Sequence, residues 1–251
     1  GGNCVNVAVN CKRYGWEEST YIGIFGSDDK AKHIKWALDQ EGVGYSRSRT
    51  MIGISGQPRV NLTPEGDRVF IGGPKDTVQH LIRLRITSED LKYISQFDIC
   101  HTSCYSNLEL ELPNIKEHCD ISFDFSDYRD KKYLKTVCPH IKYGFFSGAN
   151  LSLDGIRKLI DTCHFFGTKI VGVTLGSKGA LFSNGGEIFR QGIVPTDVVD
   201  TMGAGDSFIA GFLTYYIKYR DMSKALGFAA KCAANTCTFN GGFGYPHPFT
   251  K

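Results

Sequence analysis

Nine residues near the C-terminal end, Asp200-Thr201-Met202-Gly203-Ala204-Gly205-Asp206-Ser207-Phe208, have the types and spacing that could do chemistry. They lie between an extended stretch, Gly192 to Val199, and an apolar helical run that starts near Asp206 (Phe208, Ile209, Phe212, Leu213, Tyr216). Gly203 and Gly205 permit a tight turn whose successive backbone N–H groups point the same way. The helix that follows adds its own unpaired N–H groups and the positive end of its dipole. Such an arrangement binds anions, phosphate above all. A carboxylate at Asp206 would repel phosphate, so its chemistry there is to take the proton of an incoming hydroxyl. The competing reading is an ordinary helix entry in which Asp206 is a cap or a first-turn acid. The turn alone leaves both open.

The elements that must position this turn are read from the rest of the chain. With 251 residues, 41% hydrophobic and 22% charged, the sequence suits one large soluble α/β domain. A net charge of +3 with mixed signs suggests neither a nucleic-acid partner nor a membrane surface. There is no apolar run of membrane-spanning length and no visible signal peptide. The nine scattered cysteines fit reduced, buried thiols in a cytoplasmic protein. Cys100-His101-x-x-Cys104 has the look of half a metal site, but no second half follows, so it is read as a core strand. The chain opens on Gly1-Gly2-Asn3 without a start methionine or a preceding strand, which leads us to expect missing upstream residues.

In order, a helix is expected from Asn3 to Gly15, with Val5, Ala8 and Val9 on its core face. Asn3 and Asn6 fall together on its first turn, Asn3 being also a fair N-cap. Tyr21–Phe25 reads as a strand, and Gly26-Ser27-Asp28 as the entry to a helix ending at Gly42. Gln57–Leu62 and Arg68–Ile71 flank a turn at Thr63–Asp67, a hairpin outside the main sheet. Strands at Phe97–Ser103, Ile121–Phe125, Tyr143–Ser147 and Ile170–Leu175 alternate with helices, the last of them Leu153–Phe165. That alternation predicts a parallel sheet covered on both faces, with ligands at the carboxyl ends of its strands. A hairpin at Leu181–Phe189 and an apolar helix at Ala225–Phe239 complete the chain.

Asp-Thr-x-Gly-Ala-Gly-Asp-x-Phe resembles, at every one of its positions, the C-terminal signature of the ribokinase-like or PfkB carbohydrate kinases. Gly-Gly-x-x-x-Asn-x-Ala near the start resembles their sugar-binding motif, and Thr174-Leu175-Gly176-Ser177-Lys178-Gly179 their nucleotide motif. The resemblance implies a ribokinase-like three-layer α/β/α sandwich with a mainly parallel central sheet and a small β-lid. One kinase domain would span residues 1–251, with its lid hairpin at about 51–72 and the remaining lid strands upstream. It implies ATP-dependent phosphorylation of a sugar primary hydroxyl, with Asp206 as base and Gly203, Ala204 and Gly205 as the anion hole. Gly2, Asn3 and Asn6, together with Asp206, would bind the sugar. Thr174, Gly176, Ser177, Gly179 and Gly205 would bind the nucleotide. Mg²⁺ is implied, and K⁺ on the backbone carbonyls of Asp200 and Met202. So are two copies paired through the lid, and Arg59 as a lid contact.

Three features depart from the family pattern or refine it. The usual Asn-x-x-Glu is absent, since Asn150 is followed by Asp154, so the protein's share in holding magnesium is left open, an ion that the nucleotide and water can hold between them. Asp124, Ser126 and Tyr128 vary the family's Asp-x-Asn-x-Arg strand end. The N-terminal stretch, Phe-Asp-Phe-Ser-Asp and the C-terminal signature together are most similar to family members that phosphorylate fructoselysine on its 6-hydroxyl. Asp127 is then the residue suggested for the substrate ammonium. Ribose, fructose and a nucleoside such as adenosine stay open as substrates. A non-catalytic sugar- or nucleotide-binding protein is the opposing class, and Asp206 tells against it. A dehydrogenase would need Gly-x-Gly-x-x-Gly after an early strand, which is lacking.

Overall fold

The computed structural model describes residues 2–62 and 68–246, with residues 59–62 and 68–71 described through the backbone alone. The chain forms two compact units: Gly1–Leu84 with Thr196–Ala210 and Ala233–Lys251, and Arg85–Pro195 with Gly211–Cys232.

In the first unit, α1 (Asn3–Arg13) starts from Gly2 at φ 119°, so the N-cap is Gly2 and Asn3 is the first helical residue. Val5 and Val9 face a core of Phe25, Ala31, Ala37, Leu38, Val43 and Phe243, and Ala8 packs at its edge, as the apolar spacing predicts. The strand expected at Tyr21–Phe25 shrinks to β1 (Ile24–Phe25), because the Tyr21 N–H goes instead to the Gly44 carbonyl at 2.7 Å. α2 (Asp29–Gln40) is capped by Asp28, whose carboxylate accepts from Ala31 N and also from Ser55 N and Oγ. Gly26-Ser27-Asp28 is therefore structural. β2 (Arg49–Thr50) pairs parallel with β1. β3 (Arg59–Leu62) and β4 (Arg68–Gly72) form a separate antiparallel pair, followed by α3 (Val78–Leu81). The expected turn at Thr63–Asp67 and the side chain of Arg59 lie outside the described residues.

α1 is tied to α2 by Arg13, which donates to Glu41 through Nε (2.8 Å) and Nη2 (2.6 Å) and to the Phe243 carbonyl (2.8 Å). The Arg13 hydrogen bonds hold the Glu41 carboxyl below its ordinary range. A depressed carboxylate contributes stability above its unfolded pKa and loses it as pH falls through the folded one. Glu41→Gln should therefore cost on the order of 1–2 kcal/mol near neutral pH. In thermal melts the gap from wild type should be narrower at about pH 3 than near neutral pH, because the contribution is lost as the folded carboxyl takes up its proton. An equal gap at both pH values would contradict this role.

The second unit holds α4 (Ser88–Ile94), β5 (Ile99–Ser103), α5 (Leu112–Lys116), β6 (Asp120–Asp124), α6 (Lys131–Val137), β7 (Tyr143–Ser147), α7 (Leu153–Phe165) and β8 (Ile170–Thr174). β9 (Ala180–Ser183) and β10 (Ile188–Gln191) follow as a hairpin. The six strands make one sheet in the order β10-β9-β8-β7-β6-β5, in which β5 to β8 run parallel and β9 and β10 turn back antiparallel. Alternation along the strands sends aromatic rings to both faces. Phe123 and Phe125 meet Tyr133 of α6 on one side. Phe145 and Phe182 meet Phe212 on the other, which belongs to α8 (Ala204–Tyr219). α9 (Met222–Thr236) begins and ends three residues before the span expected at Ala225–Phe239.

His101 sits on β5 with Nδ1 2.8 Å from Ser122 Oγ, and burial lowers its pKa to about 3, so it is a neutral strand residue. All nine cysteines are free thiols, five of them buried. No helix among the described residues is long and apolar enough to cross a membrane.

Candidate active site

The nine-residue turn and the N-terminal motif both belong to the first unit, where they meet. Asn6 Nδ2 donates to Asp206 Oδ2 at 2.7 Å, across a sequence separation of 200 residues. Asn6 is 5% exposed, and its Oδ1 is buried with no hydrogen-bond partner. α8 starts at Ala204, so Asp206 lies in its first turn instead of opening it. The start is earlier because the chain ahead is pinned. The buried Asp200 carboxylate accepts from Met202 N and from Gly241 N, each at 2.8 Å. Val199 N and Asp200 N both donate to the Cys237 carbonyl.

Two glycines let backbone close on Asn6. Gly203 has φ 75°, and a Cβ there would come 2.6 Å from Gly242 Cα. A Cβ on Gly242 would sit 2.6 Å from Asn6 Cγ, Nδ2 and Oδ1 alike, so Gly242 lies flat over the amide. Gly205 is different, since nothing lies within 4 Å of a Cβ built there. Its backbone is exposed. The Ala204 N–H bonds to Thr201 O at 3.2 Å, whereas the N–H groups of Gly203 and Gly205 have no protein partner among the described residues. A pair of amides, with open room at Gly205, beside a carboxylate held by an amide, can receive an oxyanion and a hydroxyl together.

Of the other sugar-motif residues, Gly2 gives its carbonyl to Asn6 N at 2.9 Å, and Asn3 Oδ1 accepts from Cys4 N. The nucleotide-motif residues lie in the second unit. Thr174 ends β8 and donates to Phe146 O, and Gly176–Lys178 form one exposed 3-10 turn containing Ser177. Gly179, at φ 87°, lies so close to Gln191 O that a Cβ would be 2.0 Å from it, so only glycine fits. Also in that unit, Asp124 Oδ1 accepts from the N–H of Ser126, itself at φ 52°, so the Asp124 carboxylate shapes the loop after β6. Arg129 Nη2 donates to the Ser147 carbonyl and to Asn150 Oδ1. Among the described residues no group of three or more His, Cys, Asp or Glu could hold a metal ion.

Sequence reasoning missed three participants. Gly242 touches Asn6 only through the fold, Arg129 anchors Asn150, and Tyr14 Oη lies 2.6 Å from Ser207 Oγ. Asn6, Asn10 and Tyr14 recur at four-residue spacing along α1 and its C-cap, a polar stripe that could have pointed to the last of these.

The chain belongs to the PfkB family of carbohydrate kinases, whose model matches residues 1–244, and it is a carbohydrate kinase. It is 45% identical over 249 residues to the fructosamine kinase FrlD of Bacillus subtilis strain 168, covering 99% of this chain and 87% of that one. It is 34% identical over 242 residues to fructoselysine 6-kinase of Escherichia coli K12, covering 96% and 90% respectively. Among solved structures, Arabidopsis thaliana ribokinase complexed with ribose and ATP matches with a TM-score of 0.82 at 23% identity, over 96% of this chain and 82% of that one. The fold is accordingly ribokinase-like.

Proposed function

We propose that the protein transfers the γ-phosphoryl group of ATP to the 6-hydroxyl of a fructosamine, fructoselysine in particular. The substrate is supported by the 45% identity to a fructosamine kinase across nearly the whole chain. The donor is supported by the likeness to a ribokinase complexed with ATP. The chemistry is carried by one observation: the amide of the N-terminal motif bonds the carboxylate of the Gly-Ala-Gly-Asp turn at 2.7 Å.

In this reading Asp206 takes the proton of the 6-hydroxyl as its oxygen attacks the γ-phosphorus. The bond from phosphorus to the β,γ-bridging oxygen breaks, and ADP leaves. The amides of Gly203 and Gly205, with Ala204 completing the turn, meet the charge on the transferring oxygens. Asn6 is the proposed contact for a sugar hydroxyl, and its Nδ2 holds the base. Gly2 and Asn3 border that position. Thr174, Gly176, Ser177 and Gly179, together with Gly205, receive the nucleotide. Mg²⁺ would come with the ATP phosphates and supply charge to them, and no protein ligand is assigned to it. K⁺ would lie on the carbonyls of Asp200 and Met202, in the turn that the Asp200 carboxylate braces. Asp127, exposed just beyond β6, is the proposed partner of the substrate ammonium. Pairing of two copies would cover Ile52 and Leu81, 97% and 70% exposed on either side of the β3–β4 pair. The proposed compartment is the cytoplasm.

The test is ADP release with fructoselysine, fructose, ribose and adenosine in turn. Fructoselysine should lead in kcat/KM by at least about tenfold, since a site built for charged groups rejects analogues lacking them. A higher value for any of the other three would overturn the substrate. Asn6→Ala should raise the sugar KM and lower kcat, each by about tenfold, with the ATP KM within about twofold. Equal weakening of sugar and ATP would contradict its place on the sugar side.

A further inference from the structure

We propose that Gly242 is a positioning residue for Asn6. With Gly203 it forms a two-glycine clamp that sets the plane of the Asn6 amide, and so how that amide meets Asp206 and a sugar hydroxyl. The proposal rests on the reading of Asn6 as the sugar contact and of Asp206 as the base. Backbone conformation does not demand glycine at 242. Gly203 (φ 75°) and Gly241 (φ 77°) are left-handed, whereas Gly242 lies outside that region. Contact is what excludes a side chain there, since a Cβ would lie 2.6 Å from Cγ, Nδ2 and Oδ1 of Asn6. Equal distances to the three atoms place residue 242 over the face of the amide and not at its edge. Gly203 forms the second arm, for a Cβ on it would come 2.6 Å from Gly242 Cα and 3.5 Å from Asn6 Nδ2.

Both arms are anchored through the residues beside them. Asp200 Oδ1 accepts from the N–H of Met202, which precedes Gly203, and Oδ2 from the N–H of Gly241, which precedes Gly242, each at 2.8 Å. On the far side of Gly242, Phe243 is 7% exposed and its carbonyl accepts from Arg13 Nη2 at 2.8 Å. The backbone at 242 is thus fixed from both directions. Arg13 and Asn6 both belong to α1, so the loop and the amide share one frame. A methyl at 242 would therefore displace the amide, which can turn about its side-chain bonds, more readily than the loop. Turning matters because a primary amide has two unlike ends. Nδ2 donates to Asp206 Oδ2 at 2.7 Å, and an amide rotated out of that line loses its alignment with the base. A base that must meet a hydroxyl within hydrogen-bond reach is sensitive to such shifts, since misplacement by about 1 Å can cost about 100-fold.

The experiment compares Gly242→Ala, Asn6→Ala and the double variant of the full chain, by melting temperature and by steady-state rates on fructoselysine, with Asp206→Asn measured alongside. Gly242→Ala should lower the melting temperature by about 3–10 °C, as overpacking does in a chain of this size. It should also raise the sugar KM and lower kcat, each by roughly 5- to 10-fold, with the ATP KM within about twofold. In the double variant the methyl takes room that the amide has left. Its melting temperature should then lie within about 2 °C of Asn6→Ala and its kcat/KM within about threefold, well short of the product of the single losses. A Gly242→Ala protein within about twofold of wild type in sugar KM and kcat would overturn the proposal, as would losses that multiply in the double variant. If Gly242→Ala does not fold, recovery of folding in the double variant supports the clamp, and a double variant that fails beside a folded Asn6→Ala overturns it. An Asp206→Asn that keeps its turnover would overturn the base, and a wild type inactive on fructoselysine would overturn the substrate. In either case the coupling between positions 6 and 242 in melting temperature still decides the clamp.

Discussion

Asp206→Asn should lower kcat by about 10²- to 10⁴-fold, the usual worth of a positioned general base, with ATP affinity no weaker than in wild type. The substitution is close to isosteric. The new amide oxygen can still accept from Asn6 Nδ2, which now donates to Asp206 Oδ2 at 2.7 Å, so the first turn of α8 should keep its place. What disappears is the ability to take a proton. Removing a negative charge from beside the phosphates can only help nucleotide binding. The check is initial rates at saturating substrates together with calorimetric ATP binding. A kcat within about tenfold of wild type, with the protein folded, would mean that another group takes the proton.

Gly205→Ala should push stability and activity in opposite directions. Residue 205 lies in the first turn of α8, and a Cβ there meets nothing within 4 Å. Alanine in a helix gains roughly 0.5–1 kcal/mol over glycine. For a chain of this size that raises the melting temperature by about 2–4 °C. The new methyl, however, stands in the room above the amide turn, where the transferring phosphoryl group is proposed to pass. kcat/KM should fall by about 10²- to 10³-fold, comparable with losing an oxyanion donor. Gly203→Ala offers the contrast, because φ 75° and a 2.6 Å approach to Gly242 Cα make that position intolerant for folding itself. Thermal melts and steady-state rates on Gly205→Ala decide the matter. A variant both more stable and fully active would place the phosphoryl group elsewhere.

Much of the second unit was legible because its signals are local. β7 and α7 fall at Tyr143–Ser147 and Leu153–Phe165 as the periodicity predicts, and the Ser152 side chain caps α7 by accepting from Gly155 N at 3.1 Å. Asp124 alternates with Phe123 and Phe125 at the end of β6. The turn it builds with Ser126, at φ 52°, needed the structure, since serine carries no strong signal for that conformation. The start of α8 was read near Asp206 because Gly-Ala-Gly looks like turn. Asp200 pins the preceding residues from both sides and lets the helix begin at Ala204. Likewise Asn3 gave way to Gly2 as N-cap, because glycine at φ 119° supplies the entry geometry without a side chain.

The site was legible as residue types and not as contacts. Asp206 and Asn6 stand out by the chemistry of their neighbours, yet no spacing rule links positions 200 residues apart. Gly242 was invisible as an Asn6 contact because its role is the absence of a side chain against an amide from another element. Tyr14 and Ser207 look like ordinary core-edge residues until the two helices are laid together.

The most direct test is NMR of the product formed from fructoselysine and ATP by the wild-type protein and by Asp206→Asn. The account predicts a phosphomonoester coupled to the C6 protons with the wild type and almost none with the variant over the same time. Phosphate on a different hydroxyl, or equal product from both proteins, would contradict it.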